Sequence, residues 1–173
     1  MHKQTRLTCT AINGLLVYNQ VFKDNVKPCL LKNSQNHCSY CDEHSFNAGN
    51  LMIEHFKSVN FFPHLEAEYS NLYASCFACN NRKRDASYPT MEPLRPDDAE
   101  YSFDKYFHFE PDTGKIILLD TNNLQAEATL TFLNLNNLDT RNARKNFVND
   151  WIARKSRPSY SYRFIELPEN NGK

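Results

Sequence analysis

The sequence has no net charge. Twenty lysines and arginines balance twenty aspartates and glutamates over 173 residues. That balance counts against a chain that grips nucleic acid unaided by bulk charge. There is no internal repeat and no low-complexity tract. No apolar run approaches the ~20 residues needed to cross a bilayer, so no membrane partner is expected. The N-terminus lacks the basic-then-apolar pattern of a signal peptide, and a cytoplasmic location is the expectation. Cys9 and Cys29 have no close partner in sequence and read as buried free thiols.

Charge is absent in sum but not locally. Basic residues gather between Arg141 and Arg163, where Asp150 is the single acid, and acids gather between Asp97 and Glu127. Two solvated faces or a functional split both account for this segregation. The length allows one sizeable domain, or a small one with helical extensions.

The chemistry is concentrated between Cys38 and Arg84. Cys38-Ser39-Tyr40-Cys41 and Cys76-Phe77-Ala78-Cys79 are two CxxC pairs. A two-residue gap lets one tight turn aim both sulfurs at one ion. Four thiolates complete the closed tetrahedral set of a structural zinc site. In a reducing compartment such pairs are metal ligands before they are disulfides or redox centres. The chain between the pairs is long for a simple zinc ribbon, so it has to fold back on the clamp, as a two-strand hairpin does. His37 and His44 flank the first pair, but four thiolates leave them no vacancy, and they read as surface residues.

Leu51 to Phe56 fits a strand, Phe61-Phe62-Pro63 breaks it, and Asn71 to Ser75 makes a second short strand. Cys79 to Ala86 reads as a helix with Arg82, Lys83 and Arg84 on its solvent side, ended by Tyr88-Pro89. Before the first pair, Leu15 to Phe22 suits either a strand or a helix, and Pro28 suits the first turn of a short helix carrying Leu30 and Leu31. Beyond the second pair, Pro89 to Asp98 is a surface connection. Tyr106–Phe109, Pro111-Asp112-Thr113-Gly114 and Lys115–Leu119 form strand, turn and strand. Leu124–Leu133 is a helical stretch. A longer helix, from about Leu138 to Lys155, carries Phe147, Trp151 and Ile152 on one stripe with Arg141, Arg144 and Lys145 off it, and Pro158 stops it. Residues after Pro168 are polar and read as frayed. The expected fold is α+β, divided into a lead-in (1–36), a zinc-bearing core (37–90) and a C-terminal hairpin with helices (91–173).

Glu54-His55 lies between the cysteine pairs. Neighbouring strand residues point to opposite faces, so these two share a target only near a bulge or a strand end. A carboxylate suits Mg²⁺, and a neutral imidazole suits a general base. Taken alone, a surface Glu-His and a helix-capping Asn80 are the bland readings.

The ordered set Cys38-x-x-Cys41, Glu54-His55 with Pro63 downstream, Asn71-Leu72, Cys76-x-x-Cys79-Asn80 and Lys83 resembles the HNH, or ββα-metal, endonucleases over about residues 37 to 87. The resemblance implies a ββα-metal core with a four-cysteine structural zinc site, flanked by helical segments. It implies that His55 is the general base, that Glu54 and Asn80 hold a catalytic Mg²⁺ or other divalent ion, and that Asn71 braces the hairpin loop and orients His55. Lys83 is expected to touch a phosphate, and Arg82 and Arg84 beside it are the expected nucleic-acid contacts. Two positions depart from the usual pattern: the acid is Glu rather than Asp, and Asn80 stands where His is also found. Ile53-Glu54-His55-Phe56, the strand Asn71-Leu72-Tyr73-Ala74-Ser75-Cys76, and Leu133-Asn134-Leu135-Asn136 followed by Leu138 and Arg141 are similar to the PtuB family, HNH subunits of Septu and Septu-bearing retron defence systems. That likeness implies DNA cleavage in anti-phage defence, an ABC-type ATPase partner (PtuA-like), and a possible association with a retron reverse transcriptase and its msDNA. The competing readings are a zinc-stabilised nucleic-acid- or protein-binding module without catalysis, and a transcription-type zinc ribbon.

Overall fold

The structure, a computed structural model, describes residues 4–83 and 88–154. Arg84, Lys155, Pro158 and the stretch after Pro168 therefore lie outside the described residues, as does the side chain of Trp151.

Helix α1 spans Gln20–Asn33. Its start is set by Asn19, whose side chain accepts a hydrogen bond from the Phe22 N–H at 3.0 Å, satisfying one of the donors a helix N-terminus leaves open. Phe22, Val26 and Leu30 recur every four residues and are buried. Both sequence readings of this region need correction. The helix is one continuous element from Gln20, and Pro28 sits inside it rather than in its first turn. The apolar stripe and the Asn19 cap outweigh the single backbone bond that proline removes. Cys9 and Cys29 are not free thiols either. They form a disulfide across a Cα–Cα distance of 5.7 Å, joining the lead-in to α1.

A short helix α2 (Ser45–Ala48) follows the first cysteine pair. Strands β1 (Met52–His55) and β2 (Leu72–Ser75) then form an antiparallel hairpin with Glu54 opposite Tyr73 and His55 opposite Leu72. Helix α3 (Phe77–Lys83) leaves directly from the second cysteine pair. The segment between Pro89 and Asp98 is not merely a surface connection, because Leu94 is 2% exposed and its N–H donates to Thr129 Oγ1 at 2.8 Å.

Helix α4 (Phe103–Tyr106) leads into a second antiparallel hairpin, β3 (Phe107–Glu110) and β4 (Lys115–Leu118). Gly114 closes its turn at φ +68°. A Cβ there would lie 2.1 Å from the Arg141 carbonyl oxygen, so the glycine admits both the turn and the helix packed on it. Helix α5 (Leu124–Phe132) is capped by Asn123, and α6 runs Leu138–Arg154. Asn136 lies between these helices. Its amide accepts from the Ile116 N–H at 2.9 Å and donates to the Ile116 carbonyl at 2.7 Å. Arg141 and Arg144 are half-buried and donate to the Thr113 and Gly114 carbonyls, so they fasten α6 to the second hairpin. Ile152 is exposed and contributes nothing to a buried stripe.

The chain is thus a mixed α+β fold with two small sheets. One buried cluster runs from Phe22 and Leu30 through Phe56, Leu72 and Tyr73 to Phe107, Phe132 and Leu135. That cluster joins α1 and the first hairpin to the C-terminal elements.

Candidate functional site

The four cysteines meet. One sulfur from each of Cys38, Cys41, Cys76 and Cys79 lies within 4.8 Å of the others. Cys41 Sγ and Cys76 Sγ are 3.8 Å apart, the edge length of a tetrahedron whose sulfurs stand ~2.3 Å from a central zinc. Backbone N–H groups of Cys76 and Cys79 point at Cys38 Sγ (3.3 Å) and Cys76 Sγ (3.4 Å), the donors a thiolate needs once it leaves water. Burial raises the Cys38 thiol, yet hydrogen bonds from Cys41 and Cys79 overcome it and bring it down to about 7. The donor set and its spacing are compatible with a zinc site.

Local geometry explains how the first pair is held. His37 and His44 form an isolated antiparallel bridge with ring centroids 4.8 Å apart, and the Cys38 N–H donates to the Glu43 carbonyl at 2.8 Å. His37 is 6% exposed, so it is a closing clasp of the knuckle rather than a surface residue. The Ser39 N–H and hydroxyl both donate to the Ala74 carbonyl, at 2.8 and 2.7 Å, and seat the knuckle on β2.

Arg82 and Arg144 line an apolar cavity on the outer side of the cysteines, shared with Tyr40, Cys41 and Cys76. Burial lowers Arg144 to about 10, while Cys41 and Cys79 pull it back up. A zinc held by four thiolates would carry a net charge of about −2, and these two guanidiniums are the cations placed to offset part of it.

A second cleft lies on the other side of α3. Glu54, His55, Asn80 and Lys83 all line it. Strand alternation forbids Glu54 and His55 a common target only in the middle of a strand. His55 is the last residue of β1, and both residues line this cleft. Asn80 and Lys83 come from one face of α3, three residues apart.

His55 Nε2 lies 2.9 Å from the Glu66 carbonyl. A carbonyl only accepts, so the neutral imidazole carries its proton on Nε2 and keeps its lone pair on Nδ1. The Tyr18 ring packs edge-on against the imidazole at 4.9 Å. Glu66 belongs to the loop joining β1 to β2, and Asn71 spans the neck of that loop. Its Oδ1 accepts from the Lys57 N–H (2.8 Å), its Nδ2 donates to the carbonyls of Lys57 (3.0 Å) and Leu65 (3.3 Å), and its own carbonyl accepts from the Phe56 N–H (2.8 Å).

Glu54 is 3% exposed. Its Oε2 accepts from the Tyr40 hydroxyl and its Oε1 from the Lys83 ammonium, which also donates to the His55 carbonyl. Lys83 therefore does not sit on the solvent side of its helix. It is 6% exposed, with its ammonium 5.1 Å from the Phe132 ring centroid. Burial lowers its pKa, and Glu54 acts in the opposite direction. Burial also raises the Tyr40 hydroxyl, with the Glu54 charge adding to it, so Tyr40 keeps its proton and donates it. Asn80 Nδ2 lies 3.0 Å from Met52 Sδ, which leaves Oδ1 as its available oxygen.

The structure thus gathers Glu54, His55, Asn80 and Lys83 in one cleft, puts Arg82 on the cysteine side, and leaves Arg84 outside the described residues. The sequence reading did not find Tyr40, Tyr18 or the Glu66 carbonyl. Tyr40 carried a signal, since it occupies a knuckle position that the metal does not need. A backbone carbonyl carries none.

Residues 38–86 match the family model of the HNH endonucleases. The chain is 29% identical over 129 residues to the Septu protein PtuB of Bacillus thuringiensis, an alignment covering 73% of this chain and 46% of that protein. The chain spans about half the length of the curated relative it matches. Among the described residues no helix is long and apolar enough to cross a membrane.

Proposed function

We propose that this chain, whose residues 38–86 match the HNH endonucleases and which is similar to a Septu protein, is a metal-dependent endonuclease acting on DNA in anti-phage defence. The observation that carries the reading is the convergence of Glu54, His55 and Asn80 on one cleft, with His55 oriented by the Glu66 carbonyl.

In this reading His55 Nδ1 takes the proton of a water as that water attacks the scissile phosphorus. The imidazole becomes doubly protonated, and its Nε2–H stays pointed at Glu66, which holds the ring through the step. Asn71 keeps the loop closed, so the carbonyl that orients the base does not drift. Tyr18 covers one flank of the imidazole and limits its rotation. Glu54 and Asn80 offer one carboxylate and one amide oxygen to the cleft. Those hard donors fit a divalent ion such as Mg²⁺ that completes its shell with phosphate and water oxygens. When bound, that ion supplies positive charge to the phosphate and to the leaving oxygen. The four cysteines hold a structural zinc ion and act on catalysis through geometry alone. The Septu likeness extends the reading to an ABC-type ATPase partner that delivers a nuclease with no net charge of its own to its substrate, with the hairpin and helices beyond residue 90 as the docking region.

A binding module without catalysis is favoured by one observation: both oxygens of Glu54 already have partners in Tyr40 and Lys83. Plasmid nicking separates the two readings. Zinc-loaded protein, with and without Mg²⁺ and with the ATPase partner added, is compared with His55→Ala. Loss of a general base lowers cleavage ~10²–10⁴-fold while zinc content and thermal midpoint are unchanged. Undiminished cleavage by His55→Ala removes the base assignment, and no cleavage by either protein favours the binding module.

A further inference from the structure

Tyr40 is one of the two residues that the first CxxC turn places between its sulfurs. A zinc site places no demand on it, and many residue types fit such a turn. Here the ring is 1% exposed and directed inward, 6.4 Å from Tyr73 between centroids, and its hydroxyl ends on Glu54 Oε2. The other oxygen is taken by Lys83, from the helix that begins in the second CxxC turn. The carboxylate is thus gripped by one donor from the first cysteine turn and one from the far end of the helix that the second turn starts.

The grip bears on the position where the chain departs from the usual nuclease pattern. Glutamate has one more rotatable bond than aspartate, and a carboxylate free to turn about that bond meets an ion in several poses. Two fixed donors leave it one. We infer that Tyr40 is a positioning residue for the divalent-ion carboxylate: its hydroxyl fixes the extra torsion of Glu54 and so transmits the geometry of the zinc knuckle to the catalytic cleft. The inference rests on the reading of Glu54 as an ion ligand and adds to it the residue that makes a longer acid serviceable there.

Mn²⁺ binding tests it, read by electron paramagnetic resonance on the full zinc-loaded chain without nucleic acid. Tyr40→Phe keeps the ring and removes only the hydroxyl. Its Mn²⁺ affinity falls about tenfold, the low end of what a hydrogen bond to a charged group contributes. Zinc content is retained, and cleavage returns close to the wild-type rate at saturating Mn²⁺. A double-mutant cycle with Glu54→Asp supplies the readout that a general structural effect cannot reproduce. The shorter acid lacks the extra torsion and withdraws from the hydroxyl, so in that background Tyr40→Phe changes Mn²⁺ affinity less than twofold. Unchanged or tighter Mn²⁺ binding by Tyr40→Phe overturns the inference, and so does an equal loss in both backgrounds. Glu54→Gln separates the two levels. If it binds Mn²⁺ like wild type, or if wild type shows no saturable binding, the ligand assignment has failed. If Glu54→Gln loses the ion while Tyr40→Phe does not, only the role of Tyr40 has failed.

Discussion

Replacing Lys83 with methionine removes the ammonium while keeping a side chain of similar length and apolar body. In the folded chain the Lys83 and Glu54 side chains are 6% and 2% exposed, so water cannot replace the lost partner. Breaking a buried ion pair from one side costs about 3–5 kcal/mol, because the remaining charge stays buried and uncompensated. Two features of the site pull the expectation to the low end. Tyr40 still donates to Glu54 in the variant. Burial also disfavours the ammonium itself, as its lowered pKa records, so its removal relieves a cost. The expected loss is therefore about 3 kcal/mol. With a urea slope of about 2 kcal/mol per molar, the unfolding midpoint moves down by roughly 1.5 M. The companion variant Lys83→Met/Glu54→Gln removes the stranded charge while its amide oxygen still accepts from Tyr40, and it recovers all but about 1 kcal/mol. Urea titrations of the zinc-loaded proteins followed by circular dichroism measure both. A single variant within about 1 kcal/mol of wild type, or a double variant no more stable than the single, refutes the claim that this pair shares one buried charge balance.

Asp97 gives a pH dependence. Burial raises its carboxyl, but the Tyr73 hydroxyl and the guanidiniums of Arg6 and Arg95 outweigh that and hold it below its ordinary value. A depressed carboxyl contributes stability above the unfolded pKa of ~3.9 and loses it as pH falls through the folded value. Asp97→Asn should lower stability at pH 7 and flatten the acid limb of the stability profile, and an acid limb parallel to that of wild type contradicts this. Zinc removal is the third test. Cys76→Ser, or chelation of the wild type, withdraws an ion whose binding in zinc-finger peptides is worth roughly 10–16 kcal/mol at neutral pH. The outcome is loss of cooperative unfolding and aggregation, monitored by metal content and circular dichroism, and a soluble, folded, zinc-free Cys76→Ser protein counts against the site.

What could be read from the sequence is what spacing encodes. Two CxxC turns fix the distances between their own sulfurs, so the cysteine cluster was legible before any fold was known. The second hairpin was legible for the same reason, since the turn at Gly114 and its flanking apolar residues are contiguous. Contacts between distant residues left no such trace. Lys83 read as solvated because it stands in a basic triplet, while its partner Glu54 lies in a strand far upstream. Cys9 and Cys29 looked unpaired until α1 brought them together. Pro28 suggested a helix start because proline suits a first turn, but Asn19 and the stripe of Phe22, Val26 and Leu30 set the true one. The cleft that Glu54 and His55 both line is closed by residues of α3 and by Phe132, which no local spacing announces.

The amide of Asn136 has a further consequence. A strand at the margin of a two-stranded sheet offers its outward N–H and C=O to any passing chain, which is how sheets recruit one another into aggregates. At Ile116 both groups are already engaged by a side chain of the same molecule. Asn136 acts there as a one-residue stand-in for a third strand. The outer margin of β4 is thereby closed to a second copy at its midpoint, and a partner that docks by lending a strand has to evict Asn136 or choose the opposite margin of the hairpin.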